Sequence, residues 1–518
     1  MTTTVRSRIS GRPDVAEPVE RQQSTNPARC HDVVATVELG DAATFRRACA
    51  AARAEQPTWA AVPAPVRGQI LGQVGRLVEA NKEALAALIT REIGKPYAES
   101  LGEVQEVIDT AGFFQSEGRR LYGQTVPSEM PDKQLLTFRR PVGVAAVVTA
   151  GNFPVAVPSW YLVPALVCGN AVVWKPAEYA AATASAFVDL FVAGGVPEQV
   201  LHLVLCDGPQ THAGLSGALD DGLVDKVGFT GNSAVGAAIG ELCGRHIQAP
   251  CLELGGKNPL VVAPDADLDL AVTGALFSGF GTAGQRCTSL GTLIVHESVH
   301  DDLLARLTAA VAGAPVGDPT DPDVLYGPML NERFLRAFLG FADLVGPHHT
   351  VSGSTGIGRI SSANPRPGFR GDPDAGLFCH PMIVDGVTAA DALYSTETFG
   401  PIIGVATYRT FDQAVALANG HGYGLTASIY TQNPAEAFRF AERVRAGMVS
   451  VNNSTSGAEA HLPFGGNGRS GNGSRQSGQW VLDQFTRWQA VNWDYSGQLQ
   501  KAQMDTAYRP GDPTFRLA

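Results

Sequence analysis

Short apolar runs alternate with helical stretches over residues 144–243, and this alternation restricts the fold more than any other feature of the chain. Apolar runs of this length, separated by helices, are typical of parallel strands that are buried on both faces. The pattern predicts a doubly wound α/β domain. Its predicted elements are strands Val144–Ala150, Ala171–Lys175, Leu201–Leu205 and Lys226–Thr230, and helices Ala181–Ala193 and Ser233–Cys243.

The alternation resumes after Leu254 and indicates a second α/β block. A chain of 518 residues is too long to form one hydrophobic core, so more than one domain is expected. Ahead of the first block, Asp41–Glu117 has apolar residues at three- and four-residue steps and is predicted to be helical. The predicted elements of the second block are strands Met382–Asp385, Ile402–Tyr408 and Leu425–Tyr430, and helices Phe411–Asn419 and Ala435–Arg445.

Charge and apolar content argue against several classes of partner. The net charge of −11 disfavours a nucleic acid or an anionic membrane, because both are bound through basic surfaces. No apolar run is long enough to span a membrane. The stretch Met1–Arg29 has charges but no apolar core, so we interpret it as part of a mobile tail and not as a signal peptide.

The cysteines and histidines also show no metal-site pattern. The eight cysteines lack CxxC spacing, and the eleven histidines lack the spacing of metal ligands, so no metal is expected. Scattered free thiols are typical of a reducing compartment, and a cytoplasmic protein is expected. Six cysteines are interpreted as small buried hydrophobes and Cys30 as incidental.

Cys287 is the candidate nucleophile. It lies in the run Gly281–Ser289, where small residues allow close backbone approach and where Arg286 is expected to favour the thiolate. Upstream, Glu253 supplies a carboxylate within the glycine-rich stretch Cys251–Lys257. A lone cysteine is more often a buried hydrophobe, and a lone glutamate a solvated charge. Together, a thiol and a candidate base are the minimum needed for covalent acyl chemistry.

Seven short segments occur in one order along the chain, and their joint occurrence is specific. They are Asn152–Pro154, Trp174–Glu178, Phe229–Ser233, Glu253–Lys257, Gly284–Cys287, Glu397–Pro401 and Pro463–Gly466. In this order they resemble the NAD(P)-dependent aldehyde dehydrogenase superfamily, and the resemblance runs from about Ala50 to about Tyr495.

The resemblance implies an α/β fold of three parts. These are a Rossmann-type cofactor domain, an α/β catalytic domain, and a small β arm for oligomerisation into a homodimer or homotetramer. The arm would combine Tyr122–Arg140 with a strand near Trp488–Asn492. The expected boundaries are a mobile tail at 1–40, the cofactor domain at 41–121 and 143–253, the catalytic domain at 254–482, and the arm with the C-terminal tail at 122–142 and 483–518.

The resemblance also implies a mechanism. Cys287 attacks the aldehyde carbon as a thiolate, and the Asn152 side chain and the Cys287 backbone N–H hold the oxyanion. Hydride then passes to the nicotinamide, and Glu253 activates the water that hydrolyses the thioester. Without the resemblance, Asn152 would be interpreted as a turn residue that bonds its own backbone.

A cofactor site is predicted at the ends of two strands. After strand Lys226–Thr230, a glycine and a helix start form a phosphate-binding geometry whose spacing is not GxGxxG. After strand Ala171–Lys175, Glu178 is placed to bind ribose hydroxyls and repel a 2′-phosphate, so NAD is expected over NADP. A solvated glutamate at a strand end would show the same pattern. The resemblance assigns to the cofactor Lys175, Glu178, Gly231, Ser233, Gly236, Glu397 and Phe399.

Three C-terminal segments, Asn453–Glu459, Phe464–Gly466 and Tyr495–Gly497, resemble the antiquitin-type subfamily. That subfamily oxidises α-aminoadipic semialdehyde, the open form of piperideine-6-carboxylate. A carboxylate-bearing semialdehyde is therefore expected, with its carboxylate at the loop around Gly457 and its amino group at Glu106. The substrate residues implied are Glu106, Phe153, Trp160, Arg286, Ser456, Gly457, Ala458 and Phe464.

Two alternatives are compatible with these motifs. One is an aldehyde dehydrogenase for glutamate or ketoglutarate semialdehyde, or for a broad range of aliphatic and aromatic aldehydes. The other is a non-catalytic protein that retains the fold, which would need no thiol, base or oxyanion donor. Because all three groups are present, we expect an enzyme that acts on a small-molecule aldehyde.

Overall fold

The computed structural model describes residues 3–14, 16–354, 356–501 and 511–518. Two seven-stranded sheets form its framework, and two three-stranded sheets lie beside them. Among the described residues, none of the helices has the combination of length and apolar character that a bilayer crossing demands.

The N-terminal segment is folded, so the prediction that residues 1–40 are a mobile tail is wrong for the described part of that segment. An apolar strand, Val33–Leu39, pairs parallel with Thr3–Arg6 and antiparallel with Glu20–Thr25. The Glu20–Thr25 strand is polar, so its sequence has no apolar alternation to reveal it. The strands are β1 (Thr3–Arg6), β2 (Arg8–Ile9), β3 (Arg12–Pro13), β4 (Glu20–Thr25) and β5 (Val33–Leu39).

Four helices follow where a helical region was predicted. The first is capped by Asp41, whose side chain accepts a hydrogen bond from the Thr44 N–H at 2.8 Å. The third ends at Gly94, whose φ of 77° lets the chain turn towards the fourth helix. The helices are α1 (Ala42–Ala61), α2 (Ala64–Ala80), α3 (Lys82–Ile93) and α4 (Tyr97–Glu117), and strands β6 (Thr125–Val126) and β7 (Lys133–Pro141) come next.

The first seven-stranded sheet is parallel except for β2 and β3 at one edge. Its strand order is β12–β11–β8–β9–β10–β2–β3. The parallel strands end at one edge, which is where α/β sheets bind ligands. Its elements are β8 (Val144–Val148), α5 (Ala156–Val167), β9 (Ala171–Lys175), α6 (Ala181–Ala193), β10 (Leu201–Leu203), α7 (Gly208–Asp220), β11 (Lys226–Thr230), α8 (Ser233–Arg245) and β12 (Cys251–Glu253).

The second seven-stranded sheet has the order β15–β16–β17–β14–β13–β19–β20 and is parallel except for β15. Strands β18 and β21 form a separate two-stranded ribbon. The elements are β13 (Asn258–Val262), α9 (Leu268–Phe280), β14 (Leu290–His296), α10 (His300–Gly313), α11 (Glu332–Gly340), β15 (Thr350–Ser352), β16 (Met382–Asp385), α12 (Ala392–Ser395), β17 (Ile402–Tyr408), α13 (Phe411–Gly420), β18 (Tyr423–Gly424), β19 (Thr426–Tyr430), α14 (Pro434–Arg443), β20 (Met448–Val451), β21 (Asn467–Gly468) and α15 (Leu482–Phe485).

The last strand, β22 (Thr486–Asp494), forms a separate three-stranded arm with β7 and β6. It pairs antiparallel with β7 over its whole length, from Thr486 opposite Pro141 to Asp494 opposite Lys133. The predicted fold class, two α/β units with a small β arm, is therefore confirmed.

Candidate active site

A cavity of about 940 Å³ lies beside α4 and α5, and Cys287 lines it. The lining contains all eight residues that the sequence assigned to the substrate. Asn152 and Glu253 are not part of that lining. The eight are Glu106, Phe153, Trp160, Arg286, Ser456, Gly457, Ala458 and Phe464.

A strained turn, Gly281–Gly284, precedes the candidate nucleophile Cys287, and we call Gly281–Arg286 the nucleophile turn. Thr282 and Ala283 have φ values of 50° and 54°, a left-handed conformation that L-residues rarely adopt. A half-buried carboxylate on α4 holds this turn, because Glu99 Oε1 accepts a hydrogen bond from the Thr282 N–H at 3.1 Å. The same carboxylate binds the Thr282 hydroxyl and the Arg286 guanidinium. The turn is thus fixed to α4 on the cavity side of Cys287.

The thiol of Cys287 is protonated at rest. Burial raises its pKa to about 12, and the nearby carboxylates of Glu253 and Glu397 raise it as well. The prediction that Arg286 favours the thiolate is wrong. Its guanidinium forms an ion pair with Glu99 and lies 4.4 Å from the centre of the Phe277 ring. Glu99 therefore neutralises the charge that was expected to stabilise the thiolate. If Cys287 is the nucleophile, as predicted, the thiol must therefore lose its proton as it attacks.

The Asn152 side chain lies against the nucleophile turn. Its Nδ2 donates a hydrogen bond to the carbonyl of Gln285 at 2.9 Å, two residues before Cys287. An amide nitrogen carries two N–H bonds, and this contact uses one of them. Asn152 is buried, with 6% of its surface exposed. An uncharged donor is thereby fixed on the backbone two residues before Cys287, and an oxyanion site needs a donor of this kind.

Glu253 ends β12 in a buried position. Neither carboxylate oxygen has a hydrogen-bond partner among the described residues. Gly465 makes room for it, since a Cβ there would lie 2.7 Å from Glu253 Oε1. Burial raises the pKa of Glu253 well above its usual value, and the charge of Arg475 and a contact with Gln476 offset this only in part. A carboxyl group with a raised pKa is suited to act as a general base.

Two predicted cofactor residues, Lys175 at the end of β9 and Glu178 three residues later, form an ion pair. Lys175 Nζ lies 3.2 Å from Glu178 Oε2. Burial alone would raise the pKa of Glu178, but the Lys175 charge and a backbone N–H outweigh it, so the pKa lies below its usual value. Glu178 is therefore an anion at neutral pH.

The turn at Gly231 and the start of α8 are held by hydrogen bonds and by close packing. Ser233 Oγ donates to the Arg469 carbonyl at 2.7 Å. Gly236 is buried, and a Cβ there would lie 2.3 Å from Leu254, so this glycine packs the helix against the chain after β12. Gly231 donates its N–H to the Glu253 carbonyl at 3.1 Å. The turn is thus joined directly to the strand that carries the candidate base.

Glu397 and Phe399 lie in the segment after α12, and the Glu397 carboxylate is close enough to raise the pKa of the Cys287 thiol. Glu397 Oε1 accepts a hydrogen bond from the Gly256 N–H at 3.3 Å, and burial raises the pKa of Glu397 to about 7. A Cβ on Gly255 would lie 1.8 Å from Glu397 Oε2, so only glycine allows this approach. The Phe399 ring lies 5.6 Å from that of Phe334.

The Asn152 amide thus contacts the turn before Cys287, and the charge of the buried Glu253 acts on the Cys287 thiol, in an α/β fold with a separate β arm. A protein-family model described as "Aldehyde dehydrogenase family" matches residues 15–491. The chain belongs to this family. The predicted superfamily and enzyme class, an oxidoreductase that acts on aldehydes, are confirmed.

Individual relatives cover nearly the whole chain. An α-ketoglutarate semialdehyde dehydrogenase of Haloferax volcanii is 36% identical over 491 residues, which cover 94% of this chain and 98% of the relative. An α-aminoadipic semialdehyde dehydrogenase of Bos taurus is 34% identical over 478 residues, which cover 91% and 86%.

Solved structures share the fold. Betaine aldehyde dehydrogenase of Staphylococcus aureus, in complex with NAD⁺, superposes with a TM-score of 0.88 at 28% identity and covers 96% of each chain. An NADP-dependent enzyme of E. coli superposes with a TM-score of 0.87 at 31% identity and covers 95% of this chain and 98% of its own.

The cavity of this aldehyde dehydrogenase has lining residues that sequence reasoning missed. Asp109 and Phe113 lie on α4 at three and seven residues after Glu106, which places them on the same helix face. Helical periodicity counted from Glu106 could have found them. Phe277 also lines the cavity, but it precedes the nucleophile by ten residues and no local pattern indicates it.

Outside the cavity, His348, His349 and Asp391 place possible metal-ligand atoms within 4.8 Å of one another. The Gly346 N–H donates to His349 Nδ1 at 2.9 Å. In the neutral ring, this contact puts the proton on Nε2, which then has no lone pair to bind a metal. His348 Nε2 bonds Asp391 Oδ1 at 2.9 Å, so the cluster forms hydrogen bonds within the protein.

Proposed function

We propose that this aldehyde dehydrogenase oxidises a semialdehyde with a carboxylate and an amino group at its far end, and that α-aminoadipic semialdehyde is the compound to test. The composition of the cavity carries the proposal. Cys287 shares the cavity with Glu106, whose buried Oε1 has no hydrogen-bond partner among the described residues, and with the turn at Gly457. The bovine relative is named for this substrate.

The first half-reaction acylates Cys287. As Sγ bonds to the aldehyde carbon, the thiol proton leaves to solvent through the cavity, whose lining includes exposed Glu459 and His461. Negative charge develops on the carbonyl oxygen, and the second N–H of Asn152 and the Cys287 backbone N–H donate to it. The carbon–oxygen double bond then re-forms as hydride leaves the carbon, and Cys287 is left as a thioester.

The second half-reaction releases the acid. Glu253 takes a proton from a water molecule, whose oxygen bonds to the thioester carbon. The carbon–sulfur bond breaks, and the sulfur takes up the proton that Glu253 accepted, so both groups return to their starting forms. Burial keeps the pKa of Glu253 high enough for the carboxylate to be an effective base.

We propose NAD as the cofactor, and the carboxyl edge of the first sheet fits it. Helix α8 begins there with Asn232 as its cap, and N-terminal N–H groups of a helix suit a phosphate. NAD supplies, when bound, the acceptor for the hydride. We assign the adenosine and pyrophosphate half to Lys175, Glu178, Gly231, Ser233 and Gly236, and the nicotinamide half to Glu397 and Phe399.

Glu178 should make the enzyme prefer NAD to NADP, because its charge would repel a 2′-phosphate. In Glu178→Gln, we expect the ratio of kcat/KM for NAD to that for NADP to fall by about tenfold, the effect of ~1.4 kcal/mol. Glu241→Gln is the matched control, since Glu241 pairs with Arg245 on the exposed surface of α8. A wild-type enzyme that prefers NADP would show that Glu178 does not face the ribose.

Charges in the cavity favour an amino group near Glu106. Arg286 is neutralised by Glu99, and Lys95 is paired with Glu103. Within the described part of the chain, Glu106 forms no ion pair; burial raises its pKa to about 8, Glu103 adds to the effect, and the Lys95 charge opposes it only in part. An ammonium group bound there would hold Glu106 in its ionised form.

Binding of a cationic aldehyde should therefore depend on pH. Glu106 is protonated in the free enzyme below about pH 8. We expect the KM for 5-(trimethylammonio)pentanal, whose charge does not titrate, to fall as the pH rises through this value. The neutral isostere 6,6-dimethylheptanal and the Glu106→Gln variant should not show this pH dependence. Parallel KM profiles for both aldehydes in the wild type would rule out the contact.

A comparison of aldehydes tests the function. Losing the carboxylate contact should cost about 1–3 kcal/mol. The kcat/KM for hexanal should then be about tenfold to hundredfold below that for α-aminoadipic semialdehyde. Ser456→Ala should reduce this difference in kcat/KM, because Ser456 lines the cavity beside Gly457. Ser496→Ala, in the segment after β22, should leave the difference unchanged. Equal kcat/KM values for both aldehydes would contradict the proposed substrate and indicate a broad-specificity aldehyde dehydrogenase.

α-Ketoglutarate semialdehyde is the second candidate substrate, because the Haloferax volcanii relative is named for it. It has a carboxylate but no amino group. Higher efficiency with this aldehyde than with α-aminoadipic semialdehyde would select it over the first candidate.

We also propose a homodimer or homotetramer in the cytoplasm. The arm supports the oligomer, since Trp488 and Trp493 on β22 are 52% and 61% exposed and indole surfaces are favoured at interfaces. The location is supported by eight cysteines that are all unpaired in the structure.

A further inference from the structure

The oxyanion donor Asn152 stands at the start of a helix that does not cap itself. Helix α5 begins at Ala156 and its capping position is Val155, which has no side-chain acceptor. The first N–H groups of a helix have no partner within the helix. Here the partner comes from α4, because Glu103 Oε1 accepts from the Val155 N–H at 2.9 Å and the Ala156 N–H at 3.2 Å.

The same carboxylate is fixed from its other side. Glu103 Oε2 binds Lys95 Nζ, and both side chains are fully buried. Lys95 Nζ also lies 3.4 Å from the centre of the Phe153 ring, the residue directly after Asn152. Glu103 Oε1 and the Lys95 ammonium group thus both contact the chain that leads into α5, and Glu103 Oε2 joins them to each other.

We propose that Glu103, held by Lys95, is a positioning residue that fixes the Asn152 amide beside the nucleophile turn. The proposal rests on the proposed acylation of Cys287. Asn152 reaches the turn through one hydrogen bond, to the Gln285 carbonyl at 2.9 Å. The turn itself is fixed by Glu99, four residues before Glu103 and one turn earlier on α4. One helix therefore sets the separation between the oxyanion donor and the sulfur.

Two paired variants isolate the acceptor oxygen without leaving a buried charge unpaired. Lys95→Met with Glu103→Gln keeps an oxygen for the α5 N–H groups, and Lys95→Met with Glu103→Leu removes it. We expect the leucine pair to slow acylation, measured as single-turnover NADH formation, by about 10- to 100-fold, the scale for a reacting group displaced by 1 Å. The glutamine pair should stay within about threefold of the wild type.

A double-mutant cycle separates positioning from a general loss of structure. If Glu103 acts through Asn152, the leucine pair should slow acylation by less than about threefold when Asn152→Ala is already present. The proposal would be overturned if the leucine pair slowed acylation equally with Asn152 and with Asn152→Ala. It would also be overturned if the glutamine pair slowed acylation as much as the leucine pair. The rate of Cys287 alkylation by iodoacetamide should be unchanged in both pairs, since it needs the thiol but not the oxyanion site.

Two further variants complete the test. Glu103→Asp keeps the charge but shortens the side chain by one methylene group, which withdraws the acceptor from the α5 N–H groups. This variant should slow acylation, and it serves as the test if the leucine pair does not fold. Unchanged acylation in Glu103→Asp would overturn the proposal. Glu117→Gln is the matched control, because Glu117 is a buried carboxylate on α4 that pairs with Arg120. Failure of the proposed function is seen separately, as a wild-type enzyme that forms no acyl adduct on Cys287.

Discussion

Cys287→Ala is expected to form no NADH from any aldehyde while NAD binding is retained. The alanine variant has no sulfur to bond to the aldehyde carbon, so hydride is never activated for transfer. Loss of a nucleophile of this kind costs on the order of 10⁴- to 10⁶-fold in kcat. NADH absorbance measures the first outcome, and quenching of protein fluorescence by NAD measures the second.

Cys30→Ala provides the matched control for this prediction. Cys30 is an exposed thiol that does not line the cavity, so its removal should leave the rate unchanged. Mass spectrometry after reaction with aldehyde and NAD should find the acyl group on Cys287 in the wild type and in the control. Steady turnover by Cys287→Ala at the wild-type rate would exclude Cys287 as the nucleophile.

The sequence is informative where local chemistry and local structure coincide. Strands Ala171–Lys175 and Lys226–Thr230 have the predicted bounds because each is an apolar run between clear helical stretches. The predicted substrate residues belong to motifs that are far apart in the chain, and the structure brings Glu106, Cys287 and Ser456 to one cavity.

The sequence is uninformative where the partner of a residue is distant in the chain. Arg286 stands next to Cys287, but its guanidinium binds Glu99, which lies 187 residues earlier. The packing of α4 against the nucleophile turn determines that the Arg286 guanidinium pairs with Glu99. The polar strand Glu20–Thr25 depends likewise on Val33–Leu39 for its pairing, and Glu103 reveals its role only once α5 is seen to lack a cap.

Glu253 has opposite effects on the two half-reactions, acylation of Cys287 and hydrolysis of the thioester. Its charge raises the pKa of the Cys287 thiol, so it hinders formation of the thiolate. Its value to the enzyme must then lie after the thioester has formed, when a base is needed to activate water. Burial raises the pKa of Glu253, so the carboxyl is protonated and inactive as a base at pH values below that raised pKa.

Glu253→Gln should therefore form about one NADH per active site in a burst and then nearly stop, because the thioester accumulates when its hydrolysis lacks a base. The steady rate should fall by about 10²- to 10⁴-fold. In the wild type, the steady rate should rise as the pH rises through the raised pKa of Glu253, and the variant should lack this rise. Rapid-mixing measurements of NADH give the burst and the steady rate separately.

Chemical rescue decides whether the lost step is hydrolysis. Hydroxylamine attacks a thioester without needing a general base, so adding it to Glu253→Gln should restore turnover and yield the hydroxamate. The burst should be no slower than in the wild type, since the substitution removes a charge that raises the thiol pKa. A variant that shows no burst, and that hydroxylamine does not rescue, would place Glu253 in the acylation of Cys287 instead of in the release of the acid.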